Sequence, residues 1–174
     1  MTIALAAASL VFTGLCAVCL VYLHLAPTGY SPLADAVSAY GVGRYARWYQ
    51  AQAACSGIAA GLLAGALGGP RGVVVLLAVY AGCRLAITQF PMDTRRVGHW
   101  LLAVLAFGAV AVAAIRLKTP QHGLPALGWA MLACLLLTTV ARRNPPLRRW
   151  FGLAERGFYA ALLVWLVLVA VRLL

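Results

Sequence analysis

The chain has 174 residues, of which 64% are hydrophobic and only 10% are charged, and its mean hydropathy is +0.94. This composition leaves too little polar surface to cover a soluble globule, so it excludes a soluble domain and indicates an integral membrane protein. The net charge of +11 is explained by the positive-inside rule and by anionic lipid headgroups. We therefore expect membrane lipids as partners, and no nucleic acid.

Six apolar runs follow one another along the chain, each near the roughly 17 to 25 residues that cross the hydrocarbon core. They cover residues 3–25, 49–68, 72–90, 98–116, 125–141 and 153–174. The links between them are too short for a separate soluble module, so we predict one all-α transmembrane bundle of six helices over residues 1–174. The first run has no Lys or Arg before it and no clear cleavage site, which favours a retained helix over a signal peptide.

Basic residues are unevenly divided between the two sets of loops. Loops one, three and five hold Arg44, Arg47, Arg95, Arg96, Arg142, Arg143, Arg148, Arg149 and Arg156. The opposite side holds Arg71, Arg116, Lys118 and Arg172. The positive-inside rule then predicts odd loops in the cytoplasm and both termini outside, and we expect a bacterial cytoplasmic (inner) membrane.

The first connection predicts a short helix between the first two spans. Ser31 suits its N-cap, Pro32 its first position and Gly41 its C-terminal stop. Because Val37 and Tyr40 fall on one apolar face, we expect this helix at the interface or folded back over the bundle.

Small residues form a stripe in the second run, where Gly57, Gly61 and Gly65 repeat every four positions. Such a stripe allows two helices to approach closely. It predicts packing against another helix of the same chain, with homodimerisation through these glycines as the alternative.

Cysteine and histidine show no ligand pattern. All five cysteines lie in apolar runs, where they behave as small hydrophobic residues. Histidines lack paired spacing, and His122 is predicted to be solvated in a polar turn at residues 119–125. We expect no metal and no cofactor. The basic fifth loop is predicted to bind anionic lipid headgroups, with a phosphate-bearing substrate as the sharper alternative.

Residues 82–100 depart furthest from what a lipid-embedded helix requires. Arg84 lies inside an apolar run, and Asp93 and His99 follow at its end. A charge in a hydrophobic span costs roughly 2.5 to 3.5 kcal/mol on insertion scales, so it normally faces a partner, a water-filled cavity or a ligand. Asp93 either caps the next helix or pairs with an arginine; the functional alternative is an acid–base pair with His99 at the mouth of an apolar pocket.

All three acids of the chain fall on the side of the odd loops. Asp35 lies in loop one, Asp93 in loop three and Glu155 at the start of the last run. Arg84 lies in the same half of the bilayer, roughly 9 Å below the end of its helix at the rise of an α-helix. We therefore predict that these polar groups converge on one site.

Three segments resemble a microbial membrane family known as domain of unknown function number 998. They are SPLADAVSAYG after the first helix, QFPMDTRRVGHWLLAVLAF across the third and fourth, and GLAERGFYAALLVWLVLVAV at the C-terminus. The matching positions are Ser38 and Gly41, Pro91, Asp93 and His99, and Glu155 and Arg156. The resemblance implies a compact helical bundle and no established activity.

Two functions are consistent with this layout. The first is a membrane enzyme that acts by acid–base chemistry on an isoprenoid or lipid, for example a terpene cyclase, with Asp93, His99 and Glu155 as catalytic candidates. Substrate contacts are expected from Arg84, Asp35, Ser38, Tyr40, Tyr22, Tyr80, Phe90, Trp100, Tyr159 and Arg156, whose aromatic members would stabilise developing cations. The second is a non-catalytic lipid-binding or assembly protein whose polar cluster is structural. A transporter fits poorly, because no repeat and no broken helix is evident.

Overall fold

The computed structural model describes residues 1–117 and 124–174. Its long helices are α1 (Thr2–Leu25), α2 (Ala46–Leu67), α3 (Arg71–Ala86), α4 (Arg96–Arg116), α5 (Leu124–Arg143) and α6 (Phe151–Val171). Each is part of a segment long and apolar enough to cross a membrane, and neither described range contains a strand. The predicted all-helical fold with six spans is therefore confirmed. The predicted turn around His122 lies outside the described residues.

The six helices form a closed ring. Each helix packs against the next along the chain, α1 also packs against α6, and α2 reaches α6 across the ring. The ring is lined by large buried side chains such as Leu63, Leu77 and Trp165, whereas Val11, Leu105 and Val164 are exposed on its outside. An apolar outer surface is what a bundle needs when lipid is its solvent.

Glycines allow neighbouring helices to approach closely. A Cβ atom at Gly57 would lie 3.0 Å from the carbonyl oxygen of Ala81 in α3. Gly61 faces the same Ala81, and Gly65 faces Leu5 of α1. The stripe is thus used in packing within the chain, and homodimerisation through it stays a prediction.

Loop one differs from the predicted short helix. Within residues 31–41 only Val37–Gly41 is helical, as a 3-10 helix, and Ala36 before it is extended with φ −62° and ψ 147°. A continuous α-helix would need the Leu33 carbonyl for the Val37 N–H. Instead Leu33 accepts a 3.0 Å hydrogen bond from the N–H of Leu153, and Val37 donates to the Glu155 carboxylate. Bonds to the start of α6 have replaced bonds within the segment.

Arg156 fastens loop one to α6 and α1. Its guanidinium donates to the carbonyl of Asp35 at 2.8 Å, to the Tyr40 hydroxyl at 2.9 Å and to Nε2 of His24. Because an arginine can only donate, His24 Nε2 must accept, and its Nδ1 carries the proton that bonds the Leu20 carbonyl. This network closes the ring at the end where the polar residues collect.

Candidate functional site

A cavity of about 690 Å³ lies in the half of the bundle that adjoins loops one, three and five. Its volume falls within the roughly 300 to 1,000 Å³ typical of small-molecule sites. The walls come from α4, α5 and α6, with single residues from α2 and α3 and a short stretch of loop one. The apolar and aromatic lining includes Tyr49, Ile87, Trp100, Ala103, Val104, Phe107, Leu135, Phe151, Phe158 and Tyr159.

Arg84 is the deepest charge of this cavity, with no exposed surface. Its Nε donates to Ser56 Oγ at 3.0 Å, and its Nη2 donates to Gln52 Oε1 at 2.9 Å. Both partners are neutral and lie one turn apart on α2. Its third nitrogen, Nη1, is buried with no hydrogen-bond partner among the described residues. The cation is therefore held in place by the protein without being neutralised by it.

Aromatic rings surround the same guanidinium. Its carbon lies 5.6 Å from the ring centre of Tyr159 and 5.9 Å from that of Phe107, and the Tyr49 and Tyr80 side chains are also close to it. The faces of two cavity-lining rings are thus already in contact with a cation, which favours Arg84 in its charged form.

Glu155 is the buried acid of the cavity. It is 7% exposed, and its Oε2 accepts a 2.8 Å hydrogen bond from the backbone N–H of Val37. Its Oε1 has no hydrogen-bond partner among the described residues. Asp35 also lines the cavity, but its carboxylate accepts from the N–H of Ser31 at 2.7 Å. Each carboxylate therefore has one oxygen bound by a backbone N–H, and of the two Glu155 is the more deeply buried.

His99 lines the cavity from the first turn of α4 and stacks on Tyr49 at 6.3 Å between ring centres. Its Nδ1 lies 2.7 Å from the carbonyl oxygen of Phe90. A carbonyl can only accept, so Nδ1 carries the proton, and in the neutral ring Nε2 keeps an unshared electron pair. His99 is thus fixed by the backbone and has one nitrogen left for chemistry.

Asp93 is placed apart from these groups. It is exposed, its Oδ1 accepts from the N–H of Thr94 at 2.9 Å, and it does not line the cavity. The described residues contain no hydrogen bond between Asp93 and His99, so the two do not form the predicted pair in this structure. A catalytic role for Asp93 stays a prediction.

The other predicted site residues divide into two sets. Those that line the cavity are Asp35, Ser38, Arg84, His99, Trp100, Glu155 and Tyr159. Those that do not are Tyr22, Tyr40, Tyr80, Phe90 and Arg156. Tyr22 packs on Trp48, Tyr80 is buried close to Arg84, and Phe90 packs on the backbone of Gly98. Arg156 donates a hydrogen bond to the Tyr40 hydroxyl.

Sequence reasoning missed the residues that hold Arg84. Gln52 and Ser56 are polar, lie four residues apart in an apolar span and are fully buried, a combination that marks an inward-facing polar position. Phe107 and Phe158 were missed as well. No signal separates them from ordinary core aromatics, because their position on the cavity depends on how α4 and α6 face each other.

The described residues contain no group of three or more His, Cys, Asp or Glu side chains that could hold a metal ion. Three polar side chains of the cavity are instead held separately. The Arg84 cation is bound by neutral partners, the Glu155 carboxylate by one backbone N–H, and the His99 imidazole by one backbone carbonyl. Together they can bind a polar group of a ligand and move protons to and from it.

Comparison with known proteins gives one match. No curated protein and no solved structure matches the chain. The family described as protein of unknown function (DUF998) matches residues 4–172, which confirms the family resemblance of the chain. The protein is a multi-pass helical membrane protein that belongs to this family.

Proposed function

We propose that the protein is an enzyme of the bacterial cytoplasmic membrane that acts by acid–base chemistry on a lipophilic molecule bound in the cavity. The observation that carries this proposal is the state of Glu155. A buried carboxylate is costly unless it is paired, yet in the described part of the chain this one has a single backbone partner and one oxygen left unbonded. A purely structural role, in which Glu155 only attaches loop one, does not explain why this residue also lines a cavity.

The chemistry that fits best moves a proton between two positions of the substrate. Glu155 Oε1 and His99 Nε2 each have an electron pair that can accept a proton: one of them removes a proton from one position of the substrate and, once protonated, returns it to another position of the same molecule. Such a step consumes no co-reactant. Arg84 would stabilise negative charge that develops on a substrate oxygen between the two transfers.

Cyclisation through a carbocation, the example considered from sequence, is less well supported. The Arg84 guanidinium already lies over one face of Phe107 and one face of Tyr159, so those two faces are not free for a cation–π contact with a substrate carbocation. A buried guanidinium also repels positive charge on a bound substrate. An isomerisation through an anionic intermediate avoids both costs.

A mutational comparison tests the proposal. Wild type, Glu155→Gln and Asp93→Asn are purified in mild detergent and checked for equal thermal melting, and their bound lipophilic molecules are compared by liquid chromatography with mass spectrometry. Chromatography is needed because isomers have equal mass. We expect Glu155→Gln to retain a molecule that wild type carries in converted form. If that molecule accumulates only in Asp93→Asn, the acid is Asp93 and the assignment to Glu155 is wrong.

Non-catalytic lipid binding is the second candidate. It is favoured by the separate attachment of Glu155 and His99, each to backbone and not to one another, which is how purely structural groups are held. The same experiment decides between the two, because a binding protein would carry the same molecules in all three forms.

A further inference from the structure

The mouth of the cavity is lined by exposed arginines from three elements. Arg96 opens α4, Arg142 and Arg143 end α5, and Arg148 belongs to the 3-10 helix Pro145–Trp150. Arg96 is far from the other three in the chain, yet all four line the same cavity. We call these four residues the arginine rim.

The charge of the lining is strongly unbalanced. Five arginines and two acids line the cavity, which leaves a net charge of +3 with His99 neutral. Asp35 and Glu155 are each bound by a single backbone N–H, of Ser31 and Val37 respectively, and among the described residues neither forms an ion pair with an arginine of the cavity mouth. The excess positive charge is therefore available to a ligand that carries negative charge of its own.

Below the rim most of the lining is apolar, although Thr138 and Thr139 of α5 also line the cavity. Trp100, Val104, Leu135 and Phe151 are among its apolar residues. A ligand that fills this space has a charged end at the membrane surface and a hydrocarbon body inside. The deep end meets Arg84, whose Nη1 has no partner in the described part of the chain.

We propose that the ligand is a lipid phosphate, with its phosphate at the arginine rim and its hydrocarbon chain in the cavity. Guanidinium groups bind phosphate through paired N–H donors, and several around one group suit its charge and its three free oxygens. The assignment rests on the proposed function, since it names the substrate class of the same cavity. It also explains why these arginines line a cavity, which general attraction to an anionic bilayer surface does not require.

Binding of matched probes tests this inference. Farnesyl phosphate and farnesol, which share a chain and differ in the phosphate, are titrated against the full-length protein in neutral detergent, and the bound fraction is read by native mass spectrometry. We expect the dissociation constant of farnesyl phosphate to be on the order of tenfold lower than that of farnesol. Inorganic phosphate is the third probe, and we expect it to compete poorly.

Two double variants isolate the rim. Arg142→Gln with Arg148→Gln should abolish the difference between the two probes and leave farnesol binding unchanged. Arg116→Gln with Arg172→Gln removes the same charge from exposed positions at the opposite end of the bundle and should preserve the difference. Equal binding of both probes by wild type, or equal loss in both double variants, overturns the inference.

A cavity-filling variant separates the failure of this inference from that of the proposed function. Ala103→Phe places a ring in the apolar section of the lining. If it blocks farnesol while the phosphate adds no affinity, the lipid-phosphate assignment fails and the cavity remains the binding site. If it blocks neither probe, the cavity is not the site, and the proposed function fails together with the inference.

Discussion

Arg84 is the residue on which the site is built. A buried charge costs several kcal/mol after relaxation of its surroundings, and its partners here, Gln52 and Ser56, are neutral. Replacing buried ionic clusters with apolar residues of similar volume is often neutral or stabilising. The Arg84 cluster therefore has the features of a group kept for binding, at a cost in stability.

We therefore expect that replacing the whole Arg84 cluster raises the thermal stability of the protein and abolishes ligand binding. The triple variant Arg84→Met, Gln52→Leu, Ser56→Ala should melt in detergent at or above the wild-type temperature and lose the co-purifying ligand. Arg84→Met alone should lower the free energy of unfolding by about 1–3 kcal/mol, because it leaves the Gln52 amide oxygen buried without its donor. A triple variant less stable than the single one would show that the cluster is structural.

Arg84 could be singled out from the sequence, and the residues that hold it could not, for one reason. A charge inside an apolar run is visible in the sequence as an exception, and its cost implies a cavity or a ligand. Which residues approach it depends on helix rotation, which composition does not fix. Asp93 was favoured because it is near Arg84 in sequence, whereas the acids that line the cavity are Asp35 and Glu155, which loop one and α6 bring there.

At the scale of elements, the contact between loop one and the start of α6 shapes the site. Leu153 donates to the Leu33 carbonyl, and the Glu155 carboxylate accepts from Val37. Gly152 makes this contact possible, because a Cβ atom there would lie 2.5 Å from the Asp35 carbonyl oxygen and 2.7 Å from that of Pro32. The Asp35 carbonyl oxygen is held by the Arg156 guanidinium, so it cannot move aside at low cost.

Gly152→Ala should therefore destabilise the protein out of proportion to its size. We expect a loss of about 1–3 kcal/mol from overpacking, together with weaker ligand retention as Val37 moves away from Glu155. Gly108→Ala is the control, since a Cβ atom there has no neighbour within 4 Å, and it should be neutral or slightly stabilising. Thermal melting in detergent compares them, and equal melting temperatures would mean that loop one adapts freely.

The helices could be predicted from sequence and the loop could not. Long apolar runs bounded by Arg, Gly and Pro are strong local signals, and all six spans lie where they were expected. Residues 31–41 also carry good local helix signals, at Ser31, Pro32 and Gly41. Those signals were overridden by hydrogen bonds to α6, a partner more than one hundred residues away.

At the scale of the whole molecule, the ring of six helices separates two kinds of surface. One half is packed with apolar side chains and small residues, and the other contains the cavity, the arginine rim and the Arg156 network. The excess of arginine on the odd loops predicts that the cavity opens toward the cytoplasm. The described helices thus enclose a cavity of about 690 Å³ at the end that adjoins loops one, three and five.

The most direct test of the account is whether the cavity holds a lipid. Wild type, Ala103→Phe and Ala160→Phe would be released from detergent and weighed by native mass spectrometry. Both substitutions add the same ring, but Ala103 lines the cavity and Ala160 is exposed on the outside of α6. We expect wild type and Ala160→Phe to carry the additional mass of a bound lipid, and Ala103→Phe to carry none. Equal lipid on all three, or on none, would contradict it.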